Sequence, residues 1–124
     1  MRVLLDTHLL LWALSSPGKL SKRARQRIES SEVYTSAASI WEISIKSALG
    51  KLKADPEEVL VGVEAAGFNH LPIIGGHAAK VVELPPIHKD PFDRLLVAQA
   101  RFEPMILLTD DEVLGGYGDF VEVV

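Results

Sequence analysis

Four acidic side chains lie at positions where their type and spacing indicate chemistry: Asp6, Glu42, Asp93 and Asp111. Asp6 directly follows a short apolar run, and Asp111 comes shortly after a later one. Asp93 lies in the first turn of one apolar helical pattern, and Glu42 lies one turn into another. A cluster of carboxylates stays ionised only when a cation neutralises it, and otherwise some of its members are driven toward the protonated form.

Oxygen ligands in a chain without cysteine favour Mg²⁺ or Mn²⁺ as that cation. Mg²⁺ binds through one or two carboxylates, keeps several waters and completes its shell with substrate phosphate. A metal-bound water is a good nucleophile near neutral pH, and the ion stabilises the charge that develops on phosphorus. The chemistry implied is the hydrolysis of phosphodiester bonds.

Capping of helix N-termini is the alternative explanation for acids at such positions. Asp90, followed by a proline, is typical of a cap, and we interpret both Asp90 and Asp110 as structural. The segment TDDE at 109–112 fits a capping box. Asp6 could also cap the helix that follows it, as could its neighbour Thr7.

Capping explains Asp93 and Glu42 less well, because both lie in line with apolar side chains. Residues three, four and seven positions apart share one face of a helix. For Asp93 these neighbours are Leu96, Val97 and Ala100. For Glu42 they are Ala38, Ile45 and Leu49. A carboxylate on an apolar face is costly unless it is paired or binds a metal ion.

Short apolar runs alternate with helical patterns along all 124 residues, which predicts one α/β domain with a mostly parallel sheet. Strands are expected at 2–5, 33–35, 70–74, 105–108 and 120–124. Helices are expected at 9–14, 22–30, 37–49, 56–66, 77–83 and 91–102. Right-handed crossovers place helices on both faces, and ligands bind at the carboxyl ends of the strands. We therefore expect the four acids to converge on that edge.

Composition narrows the class of protein. A hydrophobic content of 48% is sufficient for a folded core, and no apolar run approaches the ~20 residues of a membrane span. Asp6 interrupts the first apolar run, so no signal peptide is expected, and the protein is expected to be cytoplasmic. A net charge of −4 argues against a broad basic surface for nucleic acid, although two bound divalent ions would offset it.

Four segments together resemble the PIN-domain ribonucleases, and among them the VapC-type toxins of bacterial and archaeal toxin–antitoxin pairs. They are LLDTHLLLWAL, SIWEISIKSALGKL, HKDPFDRLLVAQA and LLTDDEVLGGY, in the order and spacing of that family over nearly the whole chain. The resemblance implies an α/β/α sandwich and an Mg²⁺- or Mn²⁺-dependent endoribonuclease. It also implies a homodimer and a cognate antitoxin.

The resemblance places the acids of that family on Asp6, Glu42, Asp93 and Asp111. Asp110 occupies the variable position of the Thr-x-Asp motif and stays an alternative to Asp111. Further residues are candidates for a supporting role near the metal or the substrate: Thr7, Thr109, Lys46 and Arg94. Lys46 and Arg94 could instead pair with nearby acids. The basic segment 19–27 is interpreted as a solvated helix face.

The competing hypothesis is a non-catalytic PIN-like module whose acidic cleft docks a basic segment of a partner. That hypothesis predicts metal-independent binding and no cleavage. The motifs of other enzyme classes are absent, since the sequence contains no G-x-S-x-G, Walker A or G-x-G-x-x-G pattern. The four histidines, at 8, 70, 77 and 88, show no paired spacing that would indicate a metal site.

Overall fold

A five-stranded parallel sheet forms the centre of the computed structural model, which describes residues 1–124. Its strands are β1 (Arg2–Leu5), β2 (Glu32–Ser36), β3 (Asn69–Leu71), β4 (Ile106–Thr109) and β5 (Val121–Val123). Their order is β3-β2-β1-β4-β5, and every neighbouring pair is parallel. The predicted α/β/α sandwich with a mostly parallel sheet is confirmed.

Six helices flank the sheet. They are α1 (Thr7–Ser15), α2 (Lys22–Glu29), α3 (Ala37–Ala48), α4 (Pro56–Ala65), α5 (Gly75–Lys80) and α6 (Pro91–Phe102). Five of them begin after a side chain that accepts a backbone N–H of the first turn: Asp6, Ser21, Ser36, Asp55 and Asp90. None of the helices has the length and apolar composition that crossing a membrane would require.

Several element boundaries differ from those predicted. Helix α1 begins at Thr7, two residues before the expected start, because Asp6 rather than a later residue caps it. Strand β3 ends at Leu71, since the following Pro72 has no N–H for the ladder. The predicted helix 77–83 is divided into α5 and a 3-10 turn over Val81–Glu83. Two further 3-10 segments, Pro17–Lys19 and Glu112–Tyr117, were not predicted.

Apolar layers cover both faces of the sheet. Leu4 of β1 faces one layer, where it packs with Leu96 of α6. Val3 and Leu5 face the other layer, where they pack with Leu9 of α1. All of these side chains are buried. Because β1 is packed on both faces, its carboxyl end holds a fixed position in the molecule.

The strand order places β1 and β4 side by side at the point where the chain changes direction across the sheet. From β1 the chain runs outward through β2 and β3, and it later returns to the other side of β1 through β4 and β5. Leu5 pairs with Leu108, and the Asp6 N–H donates to the Leu108 carbonyl at 3.1 Å. Open α/β sheets bind ligands at such a switch point.

Candidate active site

A polar cleft of about 120 Å³ opens at this switch point. It is lined by no apolar side chain, and its lining residues are Asp6, Thr7, His8, Glu42, Lys46, Asp90, Asp93 and Asp111. The cleft therefore brings together the four acids that the sequence indicated. Lys46 and Thr7 also line it, whereas Arg94, Thr109 and Asp110 do not.

Asp6 both caps α1 and faces the cleft. Its Oδ1 accepts the Leu9 N–H at 2.8 Å, and its Oδ2 accepts the Thr109 hydroxyl at 2.5 Å. Only 4% of the residue is exposed. Burial raises the pKa of Asp6 to about 6, even though the hydrogen bonds from Thr109 and Leu9 act in the opposite direction. The buried carboxylate is therefore in need of a neutralising charge.

Glu42 enters the cleft from α3 with both of its carboxylate oxygens occupied. Oε1 accepts the Thr7 hydroxyl at 2.7 Å, and Oε2 accepts the Lys46 ammonium at 2.5 Å. Glu42 is only 6% exposed, as expected for an acid on a packed helix face. The prediction that Glu42 lies in line with packed apolar side chains is only partly correct, because Ile45 and Leu49 are exposed.

The first turn of α6 assigns different roles to its two aspartates. Asp90 is the predicted cap, since its Oδ1 accepts the N–H groups of Phe92 and Asp93 at 2.8 and 3.1 Å. The Asp93 carboxylate is half-buried and accepts no backbone N–H. Its neighbour is the His88 ring, whose Nε2 lies 3.6 Å from Oδ2. Burial first, and the charge of Asp90 second, raise the pKa of Asp93 to about 7.

His88 lies beside the acids of the cleft, although the sequence did not indicate it as a site residue. Its Nε2 lies 3.2 Å from Asp111 Oδ2, and one ligand atom from each of His88, Asp93 and Asp111 lies within 4.8 Å of the other two. Its Nδ1 accepts the Asp90 N–H at 3.0 Å, so the neutral ring carries its proton on Nε2. His88 is thereby oriented as a donor toward the carboxylates.

The segment after β4 contributes Asp111 and not Asp110. Asp110 is exposed, whereas Asp111 lines the cleft. The predicted capping box at 109–112 is wrong, because Thr109 donates its hydroxyl to Asp6 and accepts the Asp111 N–H at 3.0 Å. The cap is Asp111 itself, whose Oδ1 accepts the Val113 N–H at 3.0 Å.

Arg94 anchors the loop that carries His88. Its guanidinium donates to the carbonyls of Val81 and Pro85 at 3.2 and 3.1 Å. It also donates to the Tyr117 hydroxyl at 3.2 Å, and that hydroxyl accepts the His88 N–H at 2.9 Å. Arg94 thus positions the loop beside the cleft from a place outside it.

The basic segment 19–27 is mostly engaged within the fold. Arg23 pairs with Glu122 of β5 at 3.1 Å, and Arg27 pairs with the same carboxylate. Arg25 donates to the Pro17 carbonyl at 2.9 Å. These contacts fix α2 against β5, whereas Lys19 and Lys22 are exposed and form no ion pair.

The donor set of the cleft fits a hard divalent cation. Asp6, Asp93 and Asp111 offer carboxylate oxygens, the ligands that Mg²⁺ and Mn²⁺ prefer. The raised pKa values of Asp6 and Asp93 mean that their ionised forms are disfavoured in the protein alone. A divalent cation would reverse that effect, since it favours the charged form of each ligand.

The free energy of unfolding of the metal-free protein is expected to fall as the pH rises from about 4 to about 8. The pKa values of Asp6 and Asp93 are raised from 3.8 to about 6 and about 7. A group with a raised folded-state pKa stabilises the protein below its unfolded pKa, and this stabilisation is lost as the pH passes through the folded pKa. Urea unfolding in chelator at several pH values measures the decline.

Two controls accompany that pH series. Asp93→Asn removes one of the two groups and should flatten the decline. Saturating Mg²⁺ should flatten it as well, because the ion favours ionised carboxylates. Equal slopes for wild type and Asp93→Asn in chelator would contradict the assignment of this pH dependence.

Comparison with known families places the chain in one of them. The PIN domain family matches residues 3–118, and the chain belongs to this family. The match covers every lining residue of the cleft. A search of the curated proteins found no relative that matches the chain in sequence.

Solved structures share the fold at low sequence identity. VapBC2 from Rickettsia felis, bound to a DNA fragment from its promoter, gives a TM-score of 0.67 at 14% identity and covers 100% of this chain and 98% of that chain. A toxin–antitoxin complex from Klebsiella pneumoniae gives a TM-score of 0.68 at 19% identity and covers 98% of this chain and 96% of that chain. FitAcB from Neisseria gonorrhoeae gives a TM-score of 0.59 at 21% identity and covers 98% of this chain and 95% of that chain. These likenesses agree on one fold over the full length of the chain.

Proposed function

We propose that this PIN-domain protein is a metal-dependent endoribonuclease and the toxin of a toxin–antitoxin pair, with residues 1–124 forming a single nuclease domain. The observation that carries the proposal is the convergence of Asp6, Glu42, Asp93 and Asp111 on one polar cleft at the switch point of the sheet. The resemblance of the motifs to PIN-domain ribonucleases, with the PIN domain match over residues 3–118, supports RNA as the substrate.

Asp6, Asp93 and Asp111 are the residues that would hold Mg²⁺ or Mn²⁺, with Glu42 facing the same site. Such an ion, when bound, would supply a water activated near neutral pH and would stabilise negative charge on phosphorus. The chain orients the ligands through hydroxyls, since Thr109 donates to Asp6 and Thr7 donates to Glu42. Residues that position a ligand in this way affect metal affinity nearly as strongly as ligands do.

Partners follow from the same assignment. The structures from Rickettsia felis and Klebsiella pneumoniae are described as VapBC2 and as a toxin–antitoxin complex. We extend this to a cognate antitoxin for the present chain, with a basic side chain entering the acidic cleft, and to a homodimer acting on RNA in the cytoplasm. Light scattering across micromolar concentrations tests the homodimer. A monomeric mass at every concentration would contradict it.

Cleavage of RNA tests the proposed function. Purified protein with Mg²⁺ or Mn²⁺ should cut RNA internally, excess chelator should abolish the cleavage, and added metal should restore it. Undiminished cleavage in chelator would contradict a metal-dependent site. Binding of a basic peptide without cleavage under any metal condition would favour the competing hypothesis of a non-catalytic acidic module.

A further inference from the structure

Lys46 is the one lysine that lines the acidic cleft, and it is held there by Glu42. The two residues lie one turn apart on α3, with the Lys46 ammonium 2.5 Å from Glu42 Oε2. Because Thr7 donates to Oε1, both oxygens of Glu42 have donors from the chain itself. This side of the cleft therefore already contains a cation.

The three aspartates that line the cleft beside Glu42 have no such partner. Asp6, Asp93 and Asp111 form no ion pair with any lysine or arginine. His88 is their only basic neighbour among the ion pairs, at 3.6 Å from Asp93 and 3.2 Å from Asp111. Uncompensated negative charge is thus concentrated on the three aspartates and not on Glu42.

Building on the proposed function, we propose that Lys46 takes the place of a second metal ion, so that one divalent ion serves the three aspartates and the ammonium binds the scissile phosphate of RNA. In two-metal nucleases the second cation helps to stabilise the charge of the displacement. An ammonium is a compact cation with three donors, of which Glu42 uses one. The remaining donors are available for phosphate oxygens.

A helix-surface ion pair is the simpler explanation of the same contact. Exposed pairs at this spacing contribute little to stability and serve no site. The Lys46–Glu42 pair differs because the Glu42 side chain is 8% exposed and because the Lys46 ammonium opens into the cleft. An ordinary surface pair would show no effect on metal stoichiometry or RNA binding.

Calorimetric titration with Mn²⁺ in the absence of RNA tests the first half of this inference. Wild type and Lys46→Arg should each bind one ion, whereas Lys46→Met should bind a second, weaker ion at the freed Glu42. Two ions in wild type, or a single ion in Lys46→Met, would overturn the inference and leave metal-dependent cleavage intact. No ion in wild type would overturn the proposed function as well.

Binding of a short single-stranded RNA in chelator, where cleavage is blocked, tests the phosphate contact. The slope of log K against log salt should fall by about 0.7 in Lys46→Met, the value for one lost contact to a single strand. Lys46→Arg should keep the wild-type slope. Lys51→Met is the matched control, because Lys51 is exposed just beyond α3 and does not line the cleft. An unchanged slope in Lys46→Met would overturn the phosphate contact.

Discussion

Asp93→Asn is expected to lose RNA cleavage by on the order of 100-fold or more, whereas Asp90→Asn keeps most of it. Asparagine caps a helix about as well as aspartate, so it can replace Asp90 as the acceptor for the first turn of α6. It cannot supply the full negative charge that a metal ligand at position 93 provides. The pair of variants therefore separates a helix cap from a proposed metal ligand within a single turn.

Thermal melting in chelator provides the stability control for this pair. Asp90→Asn should stay within ~0.5 kcal/mol of wild type. Asp93→Asn should be at least as stable as wild type without metal, because one member of a like-charged cluster has been neutralised. Loss of activity in Asp90→Asn with retention in Asp93→Asn would reverse the two roles. Activity in both variants would show that the aspartates at this helix start serve only as caps and do not contribute to cleavage.

Asp6→Asn and Asp6→Ala should both lose cleavage to a similar extent, on the order of 100-fold, and yet differ in stability. Asp6 combines two functions, because its Oδ1 accepts the Leu9 N–H while its carboxylate faces the cleft. Asparagine keeps the cap and removes a buried charge, whereas alanine removes both. We expect Asp6→Ala to be about 1 kcal/mol less stable than Asp6→Asn in urea unfolding with chelator.

The cap of α4 offers a matched comparison for Asp6. Asp55 is exposed, accepts the Glu57 N–H at 2.9 Å and does not line the cleft. Asp55→Ala should therefore lower the free energy of unfolding, because a helix cap is removed, and should leave cleavage unaffected. Retention of cleavage in Asp6→Asn would show that Asp6 is only a cap.

The positions of the acids could be predicted because they depend on local patterns. Asp6 follows a strand and Asp93 begins a helix, and a parallel sheet brings such positions to the same edge. The sequence also distinguished the cap at Asp90 from its neighbour at Asp93. The choice between Asp110 and Asp111 needed the path of the chain after β4, where only Asp111 turns into the cleft.

His88 and Arg94 could not be assigned from the sequence, because their positions depend on contacts between distant segments. His88 reaches Asp111 across 23 residues, and its loop is held by the hydroxyl of Tyr117. The spacing of apolar residues in the sequence carries no information about such a loop. The loop is held by hydrogen bonds that the Arg94 guanidinium donates. Thr109 was predicted both as a supporting residue and as the start of a capping box, and the sequence alone could not separate the two roles; its hydroxyl donates to Asp6.

A crystal grown with Mn²⁺ gives the most direct test of the proposed metal site, because the anomalous scattering of manganese locates the ion without reference to activity. We expect one peak bounded by the carboxylates of Asp6, Asp93 and Asp111, with the Lys46 ammonium still on Glu42. A cleft without a peak at a saturating Mn²⁺ concentration, or a peak held only by residues outside the cleft, would contradict the assignment of a catalytic metal site to these acids.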